Sequence, residues 1–192
     1  MTTDRANDII TILKKKNIHF ENGLTGNEVL QIETKFGFQF PPDLKLFLQT
    51  ALPVSERFVN WRLGLISTDE AENIISRLNW PWDGIVFDLQ NNNFWDDSLG
   101  PQPGNIEDKI AIAKKHYEKF PRLIPIYSHR YISSLPNKPG NPVFSIYQTD
   151  IIYYGHDLAA YFANEFHFTP SGGFEMPDES VRKIEFWSNL VS

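Results

Sequence analysis

The chain has 192 residues, of which 41% are hydrophobic and 22% charged, a size and balance typical of one globular domain with a sizeable core. It contains no cysteine, which excludes disulfide bonds, thiolate metal ligands and cysteine nucleophiles. The 18 basic and 24 acidic residues give a net charge of -6, which argues against nucleic acid as a partner.

The sequence also has no apolar run long enough to span a bilayer and no amino terminus like a signal peptide. We therefore expect a cytoplasmic protein with no membrane partner. The basic cluster Lys14–Lys16 closes the first predicted helix, where cations favour the negative end of the helix dipole. The apolar face of this helix consists of Ala6, Ile9, Ile10 and Leu13.

Two short helices are predicted next, on either side of a glycine and a Pro-Pro step. Thr25 and Glu28 have the spacing of a capping box, and Gly37 stands where a left-handed residue would end the first helix. Pro42 and Asp43 suit the first turn of the second helix. The apolar faces of the pair are Val29, Ile32 and Phe36, then Leu44, Phe47, Leu48 and Ala51.

This helix pair resembles the SUKH superfamily, which includes many bacterial immunity proteins and the yeast cell-wall-synthesis regulators. The family pattern is an acidic amphipathic helix, a link with glycine, a Pro-Asp step and an apolar helix. The matching residues are Glu28, Glu33, Gly37, Phe40, Pro42, Asp43, Leu44, Phe47 and Leu48. The resemblance covers about the first third of the chain. Residues 51–54 replace the family's usual Asn-Gly, and an insert through Phe58, Trp61 and Arg62 follows.

Further helices and strands alternate along the rest of the chain. A helix starts at the capping-box pair Ser67 and Glu70, another spans Ile106–Lys119, and a third runs through Leu158, Tyr161 and Phe162. The predicted strands are rich in β-branched and aromatic residues: Ile85–Leu89, Leu123–Tyr127, Val143–Tyr147 and Ile151–Tyr154. The last two are predicted to form a hairpin.

The carboxyl-terminal part, residues 167–192, is predicted to be a connector and a helix that packs on the main body. The connector, His167–Asp178, is rich in Pro and Gly, and the helix has Val181, Ile184 and Trp187 on its apolar side. Helices and strands without a regular strand-helix-strand rhythm predict a single α+β domain over residues 1–192, with a mainly antiparallel sheet.

No recognisable catalytic motif occurs in the sequence. The five histidines are scattered, so neither a metal nor another cofactor is predicted. If the protein is an enzyme, the candidate catalytic residues are those that follow a strand or surround the predicted hairpin. They are His129, Arg130, Asp150, His156 and Asp157.

The segment Asn79–Gly100 is the candidate binding surface. It places Trp80, Trp82, Phe94 and Trp95 in predicted turns among aspartates and asparagines. Such a set of side chains suits a sugar or a basic protein, whereas the alternative is that the rings fill the edge of the core. The candidate partner-binding residues are Asp88, Trp95, Asp96 and Asp97.

Three functions from different classes are compatible with these features. By its resemblance to the SUKH superfamily, the protein is expected to be a non-catalytic immunity protein that binds and neutralises a toxin. The acidic charge balance suits a basic toxin as this partner. The second function is a cytoplasmic regulatory or scaffolding protein of the same fold. The third is a small enzyme or a carbohydrate-binding protein. The sequence does not indicate an oligomeric state.

Overall fold

The structure, a computed structural model, describes residues 1–169 and 181–191. The helices of this part of the chain are α1 (Thr3–Lys15), α2 (Gly26–Phe36), α3 (Pro42–Thr50), α4 (Leu63–Ile66), α5 (Thr68–Asn91), α6 (Ile106–Tyr117) and α7 (Leu158–Glu165). Its strands are β1 (Phe20–Asn22), β2 (Ala51–Pro53), β3 (Leu123–Tyr127), β4 (Arg130–Ser133), β5 (Val143–Tyr147) and β6 (Asp150–Gly155). All strand pairs are antiparallel, so the α+β class is confirmed.

The predicted helix pair forms as α2 and α3. Thr25 and Glu28 make both bonds of the capping box, and Gly37 ends α2 with a positive φ of 70°. Pro42 occupies the first turn of α3. Asp43 does more than favour the helix dipole, because its buried side chain accepts a hydrogen bond from the Gly140 backbone N–H at 3.0 Å. This bond joins α3 to the segment before β5.

The predicted strand Ile85–Leu89 is wrong, because these residues belong to the 24-residue helix α5. Ile85, Asp88 and Leu89 are all buried, and their spacing of three and four residues is that of one helix face. Pro81 lies inside the same helix without ending it. Trp80 and Trp82, which were expected in turns, are therefore helical residues.

The four-stranded sheet has the order β3-β4-β5-β6. The predicted hairpin is present, with Gln148 and Thr149 between its strands. Strand β4 was not predicted, and its turn after β3 consists of Ser128 and His129. Ser128 and Gln148 both have positive φ, at 47° and 58°, a conformation uncommon outside glycine.

The sheet is buried on both faces between two hydrophobic clusters. Successive residues of β4 divide between them: Ile132 faces a cluster formed largely by α1, α2, α3 and α7, and Tyr131 faces a cluster formed with α6 and the second half of α5. The chain end also belongs to the second cluster through buried Ile184 and Trp187. Helix α5 contributes to both clusters, with Ile74 and Leu78 in the first and Ile85 and Leu89 in the second.

The expected carboxyl-terminal helix is a single turn of 3-10 helix, Trp187–Asn189. Trp187 is nevertheless buried as expected, and its Nε1 donates a hydrogen bond to the Pro121 carbonyl at 2.7 Å. Most of the predicted connector, residues 170–178, lies outside the described residues.

An ionic network fixes the start of α2, and it should make stability sensitive to acid. Arg62 donates hydrogen bonds to Glu28 and Glu21. Its bond to Glu28, together with the Thr25 backbone N–H, lowers the pKa of Glu28 from 4.5 to about 2. A lowered folded-state pKa stabilises the protein above the ordinary pKa, and this contribution is lost as the pH falls from about 4.5 toward 2.

We expect the Glu28→Gln variant to lose this acid sensitivity. Between about pH 5 and pH 2.5, the free energy of unfolding of the wild type should fall by about 1 kcal/mol more than that of the variant, because partial exposure screens the pair. Urea unfolding across this range measures the difference, with Glu72→Gln, an exposed site on α5, as the control. Parallel pH profiles for wild type and Glu28→Gln would contradict the expectation.

Candidate functional site

Asp88 does not belong to an exposed binding surface, and this part of the sequence prediction is wrong. Its side chain is only 4% exposed on the inner face of α5. One oxygen, Oδ2, accepts hydrogen bonds from the backbone N–H of Thr149 at 2.8 Å and from the Thr149 hydroxyl at 2.6 Å. Asp88 therefore fastens the β5–β6 turn to the helix.

The other three predicted partner-binding residues lie just after α5. Trp95 is half-buried against the second cluster, and its Nε1 donates to the Gly100 carbonyl at 2.7 Å. Asp96 accepts a hydrogen bond from the Ser98 backbone N–H at 2.9 Å, which caps a one-turn 3-10 helix. Asp97 is exposed. A partner-binding role for these three residues stays a prediction.

The candidate catalytic residues have different surroundings. Arg130 Nε donates to Glu165 Oε2 at 2.8 Å, and its Nη1 contacts the Nε2 atom of His129. Burial and the Arg130 charge lower the pKa of His129, which favours the neutral imidazole. Asp157 caps α7 by accepting a hydrogen bond from the Ala160 N–H at 2.7 Å. Asp150 is exposed at the start of β6.

A row of exposed aromatic side chains marks a different site, between α5 and the turns of the sheet. Trp80 and Phe87 are seven residues apart on α5, so they lie on one face, and each is 46% exposed. Tyr147, the last residue of β5, is 62% exposed. These side chains line two adjoining cavities of about 190 and 550 Å³, which share Trp80 and Tyr147.

We call this site the α5 groove and define it by its lining side chains. Three are aromatic and exposed, and three are charged. They are Trp80, Phe87, Tyr147, Arg57, Arg77 and Asp83. Aromatic rings line the groove along its length. Both arginines lie beside the larger cavity, and the aspartate lies beside the smaller one.

Close packing between α5 and the β5–β6 turn forms the floor of the smaller cavity. A Cβ atom at Gly84 would lie only 2.7 Å from the Cα atom of Gln148, so glycine permits this approach. Asp88 holds the same turn one helical turn further on, through Thr149. The position of Tyr147 over the helix follows from these two contacts.

Arg77 holds the other border of the groove. Its Nη2 donates hydrogen bonds to the carbonyl oxygens of Arg57 at 3.1 Å and Ser128 at 3.0 Å, which ties two turns to α5. The Tyr131 hydroxyl donates to the Arg77 carbonyl at 2.9 Å. Burial lowers the pKa of Arg77, although the guanidinium stays charged.

Sequence reasoning missed the groove as a site. A signal was present in the spacing of Trp80 and Phe87, which is that of one helix face. The predicted strand over Ile85–Leu89 concealed this signal. The contributions of Arg77 and Tyr147 depend on contacts between distant parts of the chain and have no local signature.

Comparisons with protein-family models, curated proteins and solved structures find no match to this chain. Among the described residues, no cluster of three or more histidine, aspartate or glutamate side chains has an arrangement that could hold a metal ion. None of the described helices combines the length and apolar character needed to cross a membrane. The α5 groove is the feature with the clearest capacity for binding.

Proposed function

We propose that this protein is a non-catalytic protein-binding module that takes its partner in the α5 groove. The observation that carries this proposal is the exposure of Trp80, Phe87 and Tyr147 along one groove that also holds two arginines. Trp, Tyr and Arg are the residue types that dominate binding hot spots. Large rings exposed together, rather than singly, are typical of interaction sites.

By its resemblance to the SUKH superfamily, we further propose that the protein is a bacterial immunity protein of the cytoplasm that neutralises a toxin by direct binding. The resemblance rests on the acidic amphipathic helix α2, the glycine link after it, and the Pro-Asp step and apolar residues of α3. The net charge of -6 favours a basic toxin, because opposite charge accelerates encounter. Asp83 gives the groove itself one carboxylate for a basic side chain.

The proposal that the protein is not catalytic is supported by the structural contacts of two candidate catalytic side chains. Arg130 is paired with Glu165, and Asp157 caps α7. Both residues therefore have a structural task. The larger groove cavity is lined by His129, but the lowered pKa of this residue reflects its burial and the adjacent Arg130 cation.

The Trp80→Ala variant is expected to weaken partner binding by about 2 kcal/mol, or about 30-fold in Kd, because it removes a large anchor from the centre of the groove. The test is to co-express the product of the neighbouring gene, which the proposal expects to be the toxin, with each variant, to score growth, and to measure Kd by calorimetry. Since Trp80 is half exposed, its removal should leave folding intact, which circular dichroism checks.

Asp96→Ala/Asp97→Ala is the matched variant, because it alters the surface predicted from sequence and leaves the groove unchanged. We expect it to bind almost as well as wild type. If it loses binding while Trp80→Ala does not, the interface is the segment after α5. If the wild type neither binds the adjacent gene product nor rescues growth, the immunity proposal is wrong and a regulatory or scaffolding role replaces it.

A further inference from the structure

Arg77, like Arg122, bonds backbone carbonyl oxygens of the described residues and no carboxylate. Arg62 pairs with Glu28 and Glu21, and Arg130 pairs with Glu165. Arg77 forms no ion pair with any residue in the described ranges 1–169 and 181–191, and its hydrogen bonds there come from Nη2 alone. A half-buried guanidinium is thus left with unused donors.

The Arg77 side chain lines the larger cavity of the α5 groove. Trp80, Tyr131 and Tyr147 line the same cavity, so aromatic rings stand beside the guanidinium. A guanidinium presents N–H groups in a plane that matches the two oxygens of a carboxylate, and partial removal from water strengthens such a pair. Arg57, which is exposed and lines the same cavity, adds a second cation.

We propose that Arg77 receives a carboxylate side chain of the protein partner, assisted by Arg57, while Trp80 and Tyr147 take an apolar residue next to that carboxylate. This inference rests on the proposed function. It adds the chemistry of the partner residue that binds in the groove and the orientation of the partner along the groove. The acidic residue of the partner enters the end of the groove at Arg77, and a basic residue suits the opposite end at Asp83.

The charges of the groove favour a carboxylate over a phosphate. Arg57 and Arg77 are opposed by Asp83, so the groove carries one net positive charge, which a monoanion neutralises. A doubly charged phosphate would exceed this charge and meet the field of a protein whose net charge is -6. A basic partner with one acidic anchor residue is complementary in charge both to the groove and to the whole protein.

Two blocked tetrapeptides test the inference on the full chain. One is alanine-phenylalanine-glutamate-alanine, and the other has glutamine in place of glutamate, which has the same shape without the charge. Each is titrated at low salt while the indole N–H signal of Trp80 is followed by nuclear magnetic resonance, assigned with Trp80→Phe. We expect the glutamate peptide to bind at least about fivefold more tightly.

Arg77→Gln should reduce this preference to near equality. Because Arg77 also ties two turns to α5, Arg57→Gln serves as a second variant. The Arg57 side chain is exposed, so its loss should reduce the preference without affecting the fold. Asp83→Asn is the matched control on the same groove and should retain or increase the preference.

Equal binding of the two peptides, failure of both to shift the Trp80 signal, or a preference that survives in both arginine variants would overturn the inference. Inorganic phosphate that displaces the glutamate peptide more effectively than acetate would overturn it in favour of a phosphate site. These outcomes are independent of the toxin experiment. Loss of toxin binding in Trp80→Ala together with equal peptide binding would retain the protein-binding proposal and remove only the carboxylate anchor.

Discussion

Replacing Glu165 with alanine is expected to lower the free energy of unfolding by about 3 to 5 kcal/mol, because it leaves a buried cation without its partner. Glu165 Oε2 accepts from Arg130 Nε at 2.8 Å, and the two side chains are 16% and 10% exposed. Arg130 also lies 3.7 Å from the ring centre of Tyr154 and bonds the Ser145 hydroxyl, so it cannot turn toward water without breaking these contacts. Urea unfolding followed by tryptophan fluorescence measures the loss.

The double variant Arg130→Met/Glu165→Leu tests whether the stability lost in Glu165→Ala comes from an unpaired buried charge or from a lost packing contact. It removes both charges and keeps apolar volume, so most of the stability lost in Glu165→Ala should return. A loss below about 1 kcal/mol in Glu165→Ala would mean that Arg130 reaches solvent, since exposed ion pairs contribute no more than this.

Gly155→Ala is expected to lower the free energy of unfolding by about 3 kcal/mol, because the added methyl group has no space. A Cβ atom at this position would lie 2.4 Å from the backbone N and 2.5 Å from the Cα atom of Tyr161. Both atoms belong to the first turns of α7, which Asp157 caps. The helix must therefore move away from β6 to accept the side chain.

Gly104→Ala is the matched control for this substitution. No atom lies within 4 Å of a Cβ built at Gly104, so the same chemical change should alter stability by less than about 0.5 kcal/mol. Thermal unfolding of both variants makes the comparison. Equal stability of Gly155→Ala and Gly104→Ala would show that β6 and α7 are less closely packed in solution.

The helices α2 and α3 were predictable because their determinants are local. The cap at Thr25, the acidic residue at Glu28 and the stop at Gly37 lie within thirteen residues, and each acts on the backbone next to it. The hairpin of β5 and β6 was predictable for the same reason, since two β-rich runs flank a short polar turn.

The second half of α5 and the strand β4 were not predictable from local signals. Ile85 and Val86 favour strands, and Pro81 reads as a stop, yet contacts with the second cluster keep the segment helical. Strand β4 follows a turn of Ser128 and His129 without glycine, which gives no turn signal. Long-range packing decides both elements.

The residues of the candidate site likewise differ in whether local sequence could predict their surroundings. Trp95 and the aspartates beside it were chosen for their composition, which says nothing of burial. Asp88 is buried, and its hydrogen-bond partner Thr149 lies 61 residues later in the chain. Arg77 becomes a candidate only when the structure shows that it lines the groove and bonds carbonyl oxygens through Nη2 alone. Composition singled out the segment Asn79–Gly100 but did not distinguish its buried side chains, such as Asp88, from its exposed ones, such as Trp80 and Phe87.

The ties between α5 and the turns of the sheet have a consequence for the thermodynamics of binding. Asp88 holds the turn that follows Tyr147, and Arg77 holds the turn at Ser128, so both borders of the groove are ordered before a partner arrives. Ordering loops during association costs free energy, and this groove avoids that cost. Free and bound backbones should then coincide within about 1 Å, with partner affinity set by the dissociation rate rather than by conformational rearrangement.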